Sequence, residues 1–135
     1  MKIPTLICAS LLALSCSQNK EEERQPAALS PLSSQEVLQT FNLYMKGDYD
    51  AYVGQMLSCD RQPESYREQM VILFRQHAAD QRKDNGPVCS ASVTSVTTDT
   101  ASHTASALLR ISYENGDSEN IQLHFVHDGK SWRLR

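Results

Sequence analysis

At residues 43–52 the chain reads Leu-Tyr-Met-Lys-Gly-Asp-Tyr-Asp-Ala-Tyr, and this stretch decides how the domain begins to fold. Gly47 supplies the residue that commonly ends a helix, because glycine adopts the left-handed conformation without strain. Asp48 follows at once, and its carboxylate can accept hydrogen bonds from the free N–H groups of a second helix. The stretch therefore predicts two short helices that meet at a tight corner.

The helix before the corner has a clear beginning. Ser33 and Glu36 have the spacing of a capping box, and Leu32 with Val37 has the spacing of a hydrophobic staple. Large apolar side chains then recur at helical spacing up to Met45. The domain is therefore predicted to open at residue 33.

A third helix is predicted after the corner. Pro63 suits the first turn of a helix, and apolar residues follow at helical spacing until the breaker Asn85-Gly86-Pro87. Val71 and Ile72 widen the apolar arc, so this helix is expected to be buried on more than one side.

From Val88 the sequence alternates between polar and apolar residues, which is typical of strands. Four antiparallel strands are predicted, beginning near Val88, His103, Ser118 and Lys130. In the first hairpin a three-residue loop with Gly116 in the left-handed region places small side chains opposite large ones. The predicted pairs are Ala105 with Phe125, Ala107 with Leu123, and Leu109 with Ile121.

The second hairpin contains Asp128-Gly129, for which a two-residue turn is predicted. That turn places Phe125 opposite Trp132 and Leu123 opposite Leu134. The predicted fold class is α+β, with three N-terminal helices packed on one face of a curved antiparallel sheet of about four strands.

This layout resembles the nuclear-transport-factor-2-like superfamily, also called cystatin-like, whose domains are cone-shaped. Leu43–Tyr52 and the ending Val-His-Asp-Gly-Lys-Ser-Trp-Arg-Leu of residues 126–134 are similar to those of small Bacteroidetes-type lipoproteins of unassigned function. The resemblance covers nearly all of residues 33–135. It implies the fold but no chemistry, because both segments are structural.

The N-terminus determines the expected location. Residues 1–15 contain a short apolar run that is typical of a signal peptide, and the segment up to Cys16 resembles a lipobox, although Ala13 stands where leucine is usual. Cys16 is then the lipidated residue, and residues 16–32 form a polar tether with little to bury. The protein is expected on the outer membrane, surface-exposed or, alternatively, facing the periplasm. The remaining alternative is ordinary secretion.

Charge and cysteine content argue against some classes of function. Removal of residues 1–15 takes away Lys2 and changes the net charge from −3 to −4, so nucleic-acid binding is not expected. Cys59 and Cys89 are the cysteines that remain in the domain, and they are expected either to form a disulfide or to stay as two buried thiols. Metal-ligand spacing is absent, and no metal or cofactor is predicted.

The candidate pocket combines aromatic residues with one acid. The helical tyrosines can line a cone that holds a small apolar ligand, and a carboxylate near a tyrosine could perform acid–base chemistry there. The candidate pocket residues are Tyr44, Tyr52, Tyr66, Tyr113 and Glu119. No catalytic residue is assigned, since no nucleophile–base pair is found, and His77 is interpreted as a core-edge histidine.

The opposite face of the sheet is predicted to be polar, and it is a candidate surface for an acidic protein partner. Its candidate residues are Arg110, Gln122, His124, Arg133 and Arg135. The favoured function is a non-catalytic, membrane-anchored lipoprotein that binds a small ligand or scaffolds an envelope complex. The alternatives are a protein-binding inhibitor or immunity lipoprotein and a small isomerase or hydrolase. Monomer and homodimer are both open, because Leu108 and Val126 offer only a small apolar patch.

Overall fold

The structure is a computed structural model that describes residues 29–135. The predicted signal peptide, Cys16 and most of the tether lie outside the described residues. The elements in chain order are α1 (Ser34–Met45), α2 (Tyr49–Gly54), a 3₁₀ turn (Leu57–Cys59), α3 (Glu64–Asn85), β1 (Val88–Asp99), β2 (Thr104–Tyr113), β3 (Ser118–His127) and β4 (Trp132–Leu134). The three helices and the four-stranded antiparallel sheet confirm the predicted fold class.

Both predicted helix caps are present. The Ser33 hydroxyl accepts from the Glu36 N–H at 3.1 Å, and the Glu36 carboxylate accepts from the Ser33 N–H at 2.9 Å. At the corner Gly47 has φ +83°, and Asp48 accepts from the Ala51 N–H at 3.2 Å. The helical corner therefore forms as the sequence predicts.

Helix α3 differs from the prediction that it is buried on more than one side. Only Val71 is fully buried, whereas Ile72 and Leu73 are 56% and 57% exposed. The reason is geometrical: α3 packs mainly on α2, while α1 packs directly on the sheet. One side of α3 is thus covered by the corner, and the rest borders solvent or the space above the sheet.

The strands follow the order β1-β2-β3-β4. The first hairpin has the predicted register, with Ala105, Ala107 and Leu109 opposite Phe125, Leu123 and Ile121. Gly116 has φ +94°, and its N–H donates to the Tyr113 carbonyl at 3.0 Å. The predicted three-residue loop is confirmed, and the apolar side chains of β2 and β3 lie on the face covered by helices.

The second hairpin corrects the predicted register by two residues. Phe125 pairs with Leu134, and His127 pairs with Trp132, so the loop has four residues instead of two. The Asp128 carboxylate holds this loop by accepting from the Lys130 and Ser131 N–H groups at 2.8 and 2.9 Å. These bonds, with the nearby Arg133, lower the pKa of Asp128 to about 2.

The main core lies between α1 and the sheet. Its fully buried members include Val37, Leu109 and Phe125, all at most 1% exposed. The indole N–H of Trp132 donates to the Ser30 carbonyl at 2.9 Å, and Leu32 is buried with its N–H on the Thr98 hydroxyl at 3.1 Å. Packed contacts therefore begin a few residues before the predicted boundary at residue 33.

The two domain cysteines are free thiols rather than a disulfide. Cys59 is buried in a small second cluster with Val53 and Val71. Cys89 lies between Val88 and Ser90, where the register of β1 shifts, and it is exposed. The irregularity breaks the alternation on which the prediction of a second buried thiol rested.

Candidate functional site

A cavity of about 420 Å³ opens between α3 and the apolar face of the sheet. The helical corner forms its inner end, α3 forms one wall, and the strands form the floor. The lining residues are Phe41, Tyr44, Tyr52, Met70, Leu73, Phe74, His77, Gln81, Val88, Ile111, Glu119, Ile121 and Leu123. The wall is thus largely apolar, with a few polar groups.

Aromatic rings from all three helices meet at the inner end. The Tyr44 ring centroid lies 5.6 Å from that of Phe41, 5.5 Å from that of Tyr52 and 6.2 Å from that of Phe74. Tyr52 and Phe74 also form an edge-to-face pair at 5.2 Å. Desolvation by burial is the main cause that raises the pKa of both tyrosines to about 12, so both phenols are neutral donors at pH 7.

Glu119 is the acid of the cavity, and one of its oxygens is held in place. The Tyr113 hydroxyl and the Gln81 side-chain amide both donate to Glu119 Oε1, the amide at 3.2 Å. Burial, followed by the hydrogen bond to Glu119 and the Glu119 charge, raises the pKa of Tyr113 above its usual value, so Tyr113 remains the donor. Within residues 29–135 no group donates to Glu119 Oε2, which leaves this oxygen available to a ligand.

A second polar pair lies on the helical side of the cavity. The Tyr44 hydroxyl and His77 Nδ1 are 3.3 Å apart. The interpretation of His77 as a histidine at the edge of the core is correct in that its imidazole has a partner, Tyr44. It differs from the structure in that the side chain is exposed on α3. This pair and Glu119 give the cavity two separate polar points.

The structure brings together most of the predicted pocket residues. Tyr44, Tyr52 and Glu119 line the cavity, and Tyr113 supports Glu119 from behind. Tyr66 does not contribute, because it lies in the first turn of α3 and is 39% exposed. Its helical spacing makes it equivalent to the other tyrosines in sequence, but it is not among the residues that line the cavity.

Sequence reasoning missed Gln81. It lies 38 residues before Glu119, near the end of a 22-residue helix, in a polar segment without an apolar stripe. Only the crossing of α3 over the sheet brings the two side chains together. A glutamine among charged residues carries no signal for such a contact, so no feature of the sequence identifies it.

The outer face of the sheet carries the predicted polar residues. Arg110, Gln122, His124 and Arg135 are exposed there, and Arg110 donates to the Ser118 hydroxyl at 2.9 Å. Leu108 is 43% exposed on the same face. The helices cover the other side, so this face is open within the described part of the chain.

Arg133 differs from the other members of this set because its guanidinium is already bound. It forms an ion pair with Asp60 at 2.8 Å and with Asp128 at 3.4 Å, and it donates to the Gly54 and Gln55 carbonyls at 3.0 and 3.2 Å. The hydrogen bond to Asp60 is the main cause that raises the pKa of Arg133. Arg133 therefore ties β4 to the helical corner.

Residues 29–135 contain no group of three or more histidine, cysteine or acidic side chains that could hold a metal ion. In the same range no helix combines the length and the apolar character that crossing a membrane requires.

Comparison with known proteins identifies the fold. No protein-family model matches the chain, and no curated protein is similar to it in sequence. A solved structure from Campylobacter jejuni, a protein provisionally named a nuclear-transport-factor-2-like transpeptidase, superposes with a TM-score of 0.59 over 76% of this chain and 97% of that one. This chain has the nuclear-transport-factor-2-like fold.

The nuclear-transport-factor-2-like fold is what this likeness shows. Sequence identity is 12%, so the transpeptidase activity in the neighbour's name is said of that protein and is not transferred to this chain.

Proposed function

We propose that this protein is a non-catalytic, membrane-anchored binding module of the cell envelope, and that its cone holds a small, mostly apolar ligand. The observation that carries the proposal is the cavity of about 420 Å³ between α3 and the sheet. Binding sites for small molecules are usually concave and apolar with a few placed polar groups, and they have volumes of roughly 300–1,000 Å³. The cavity has all of these properties.

The polar groups of the cavity favour binding over catalysis. Glu119 Oε1 already accepts two hydrogen bonds, and His77 is partnered by Tyr44 on the helical side. Among the described lining residues Glu119 is the one carboxylate, so the cavity lacks the pair of acids with different protonation states that many acid–base enzymes use. A fixed acceptor in an apolar pocket is well suited to orient a ligand.

The binding proposal is tested by titration with phenylnaphthylamine, a fluorescent apolar probe. The wild-type protein is expected to bind one probe molecule per chain with saturation. Leu123→Trp places a large ring inside the cavity and is expected to abolish binding, whereas Leu108→Trp on the outer face of the same sheet leaves it unchanged. Absence of saturable binding, or equal binding by both variants, would contradict the proposal.

Anchoring through Cys16 is a separate part of the proposal, supported by the lipobox-like segment and the polar tether. Stable attachment needs more than one acyl chain, which a bacterial lipoprotein provides. Labelled palmitate is expected to be incorporated into the wild-type protein and not into Cys16→Ser. Recovery of the wild-type protein in the soluble fraction without label would show that it is an ordinary secreted protein.

A second candidate function is the binding of an acidic protein by the open sheet face. It is favoured by the exposure of Arg110 and Arg135 on a face that no helix covers. Because Arg133 is engaged by Asp60, the charge reversal that tests this function is Arg110→Glu with Arg135→Glu. Capture of the same envelope partner by the wild type and by the double variant would refute this second function. The elution volume in size-exclusion chromatography separates a monomer from a homodimer.

A third candidate function is a small isomerase or hydrolase, favoured by a carboxylate, Glu119, that lines the cavity and accepts from the Tyr113 hydroxyl. In that case Glu119 would act as the general base toward a bound substrate. Glu119→Gln is then expected to remove turnover while the substrate still binds. Turnover that survives this substitution would exclude the site.

A further inference from the structure

The cavity has an unbalanced distribution of charge. Its described lining contains one carboxylate, Glu119, and no lysine or arginine. Glu119 is part-buried against Tyr113 and Gln81, both of which are neutral donors. A carboxylate that faces apolar walls is disfavoured by lost hydration unless a cation or further donors compensate it. Within the cavity the compensation is incomplete, since Oε2 has no donor from the described residues.

The position of Glu119 leaves this free oxygen accessible to a ligand. Tyr113 and Gln81 both donate to Oε1, so they fix the carboxylate from one side. The Glu119 side chain lines the cavity together with Tyr44 of α1. Its negative charge is one of the smaller causes that raise the pKa of the Tyr44 phenol. A carboxylate that lines an open cavity, is fixed through Oε1 and has an Oε2 that accepts from no described residue is suited to receive an N–H donor from a bound molecule.

The aromatic end of the cavity suits the same kind of ligand. Phe41, Tyr44, Tyr52 and Phe74 form a connected set of rings with centroid separations between 5.2 and 6.2 Å. Aromatic faces attract organic cations, and they also pack against an apolar body. An anionic ligand, by contrast, would meet the Glu119 charge without a lysine or arginine in the described lining to offset it.

We propose that the ligand is an organic ammonium compound with an apolar body, whose protonated amine donates to Glu119 Oε2 while the apolar body packs among the rings at the inner end. This inference rests on the proposed function and names its ligand class. A neutral hydroxyl could also donate to Oε2, but it would gain neither the attraction between opposite charges nor the cation–π attraction.

The test uses three probes with the same ring: naphthylmethylamine, naphthylmethanol and naphthoate, titrated calorimetrically into the wild-type protein at pH 7. The amine is expected to bind about tenfold more tightly than the alcohol, because only the amine adds the attraction between opposite charges and the cation–π attraction. Naphthoate is expected to bind most weakly. This ranking needs no variant, so it does not depend on the folding of a mutant.

Glu119→Gln then tests the assigned residue, and Glu114→Gln is its matched control. Glu114 lies in the same hairpin and loses the same charge, but it is exposed and does not line the cavity. We expect Glu119→Gln to weaken amine binding about tenfold, because the attraction between the ammonium and the carboxylate is lost. Glu119→Gln is expected to weaken alcohol binding less than amine binding, because the amide oxygen can still accept a hydrogen bond. Binding of the amine by Glu114→Gln is expected to stay within about twofold of wild type.

The possible outcomes separate this inference from the function on which it rests. Equal binding of amine and alcohol, or equal loss of both in Glu119→Gln, would overturn the ammonium assignment while showing that the cavity binds apolar molecules. Failure of all three probes to bind would overturn both. Tighter binding of naphthoate than of the amine would overturn the inference by showing that the charge preference is the reverse.

Discussion

Leu123→Trp tests whether the cavity exists in solution, because its effect on stability has a different sign in an open cavity and in a packed core. Leu123 is half-buried on β3 and lines the cavity. Leu109 lies on the adjacent strand β2 of the same sheet face and is 0% exposed. The same substitution at these two positions therefore compares an open environment with a closed one.

The expected magnitudes follow from the burial of each site. Tryptophan carries roughly 60 Å² more apolar surface than leucine, and at about 25 cal/mol per Å² its complete burial would contribute about 1.5 kcal/mol. Because the cavity is open on one side, about half of that gain is expected at Leu123, so the free energy of unfolding rises by up to about 1 kcal/mol. At Leu109 the ring would overpack a filled core, which typically costs about 1–3 kcal/mol or more.

Urea denaturation followed by circular dichroism measures both effects. With a denaturant dependence of about 1–1.5 kcal/mol per molar, Leu109→Trp is expected to lower the midpoint by about 0.7–3 M, and Leu123→Trp is expected to leave it unchanged or to raise it. The exposed Leu108→Trp serves as a surface control for the added ring. A loss of stability in Leu123→Trp comparable to that in Leu109→Trp would refute the reasoning, since it would mean that the cone is packed.

Three further predictions concern stability and reactivity. The N–H groups of its own turn lower the pKa of Asp128 to about 2, so its contribution to the stability of the fold is present above about pH 4 and is lost as the pH falls toward 2. Asp128→Ala should therefore flatten the pH dependence of the urea midpoint between these values. Ser33→Ala removes the helix cap and should cost about 1 kcal/mol, whereas Ser34→Ala should change the free energy of unfolding by less than about 0.5 kcal/mol. In the native protein a thiol reagent should label the exposed Cys89 quickly and the buried Cys59 only on unfolding, as peptide mapping will show.

The two hairpins explain how far the sequence determines the sheet. In the first hairpin a one-residue change of register moves all large side chains to the polar face, so alternation alone selects the observed pairing. In the second, the predicted and observed registers differ by two residues, and both keep Leu134 on the apolar face. Alternation cannot distinguish them. The hydrogen bonds of the Asp128 carboxylate favour the longer loop, and these appear only in three dimensions.

Helix α3 marks the limit of what its own sequence predicts. Its apolar residues form a wide arc, but α3 packs mainly on α2 and leaves Ile72 exposed. Leu73 is exposed although it lines the cavity, because the cavity is open to solvent. Helical periodicity reports which residues share a face, but not whether a neighbouring element covers that face.

The cavity lies where an apolar face of the sheet is not fully covered by a helix. Where α1 lies on the sheet, small residues such as Ala105 oppose large ones such as Phe125 across the strands, and the core is filled. Where α3 replaces α1 above the sheet, apolar residues such as Ile121 line an open space, and the one carboxylate of the described lining, Glu119, lies among them. An open apolar cavity beside a carboxylate contributes little to the free energy of folding, because its surface stays in contact with water. Such a region is expected where a fold serves binding rather than stability, so the part of the domain that the sequence predicts least well is the part to which we assign the function.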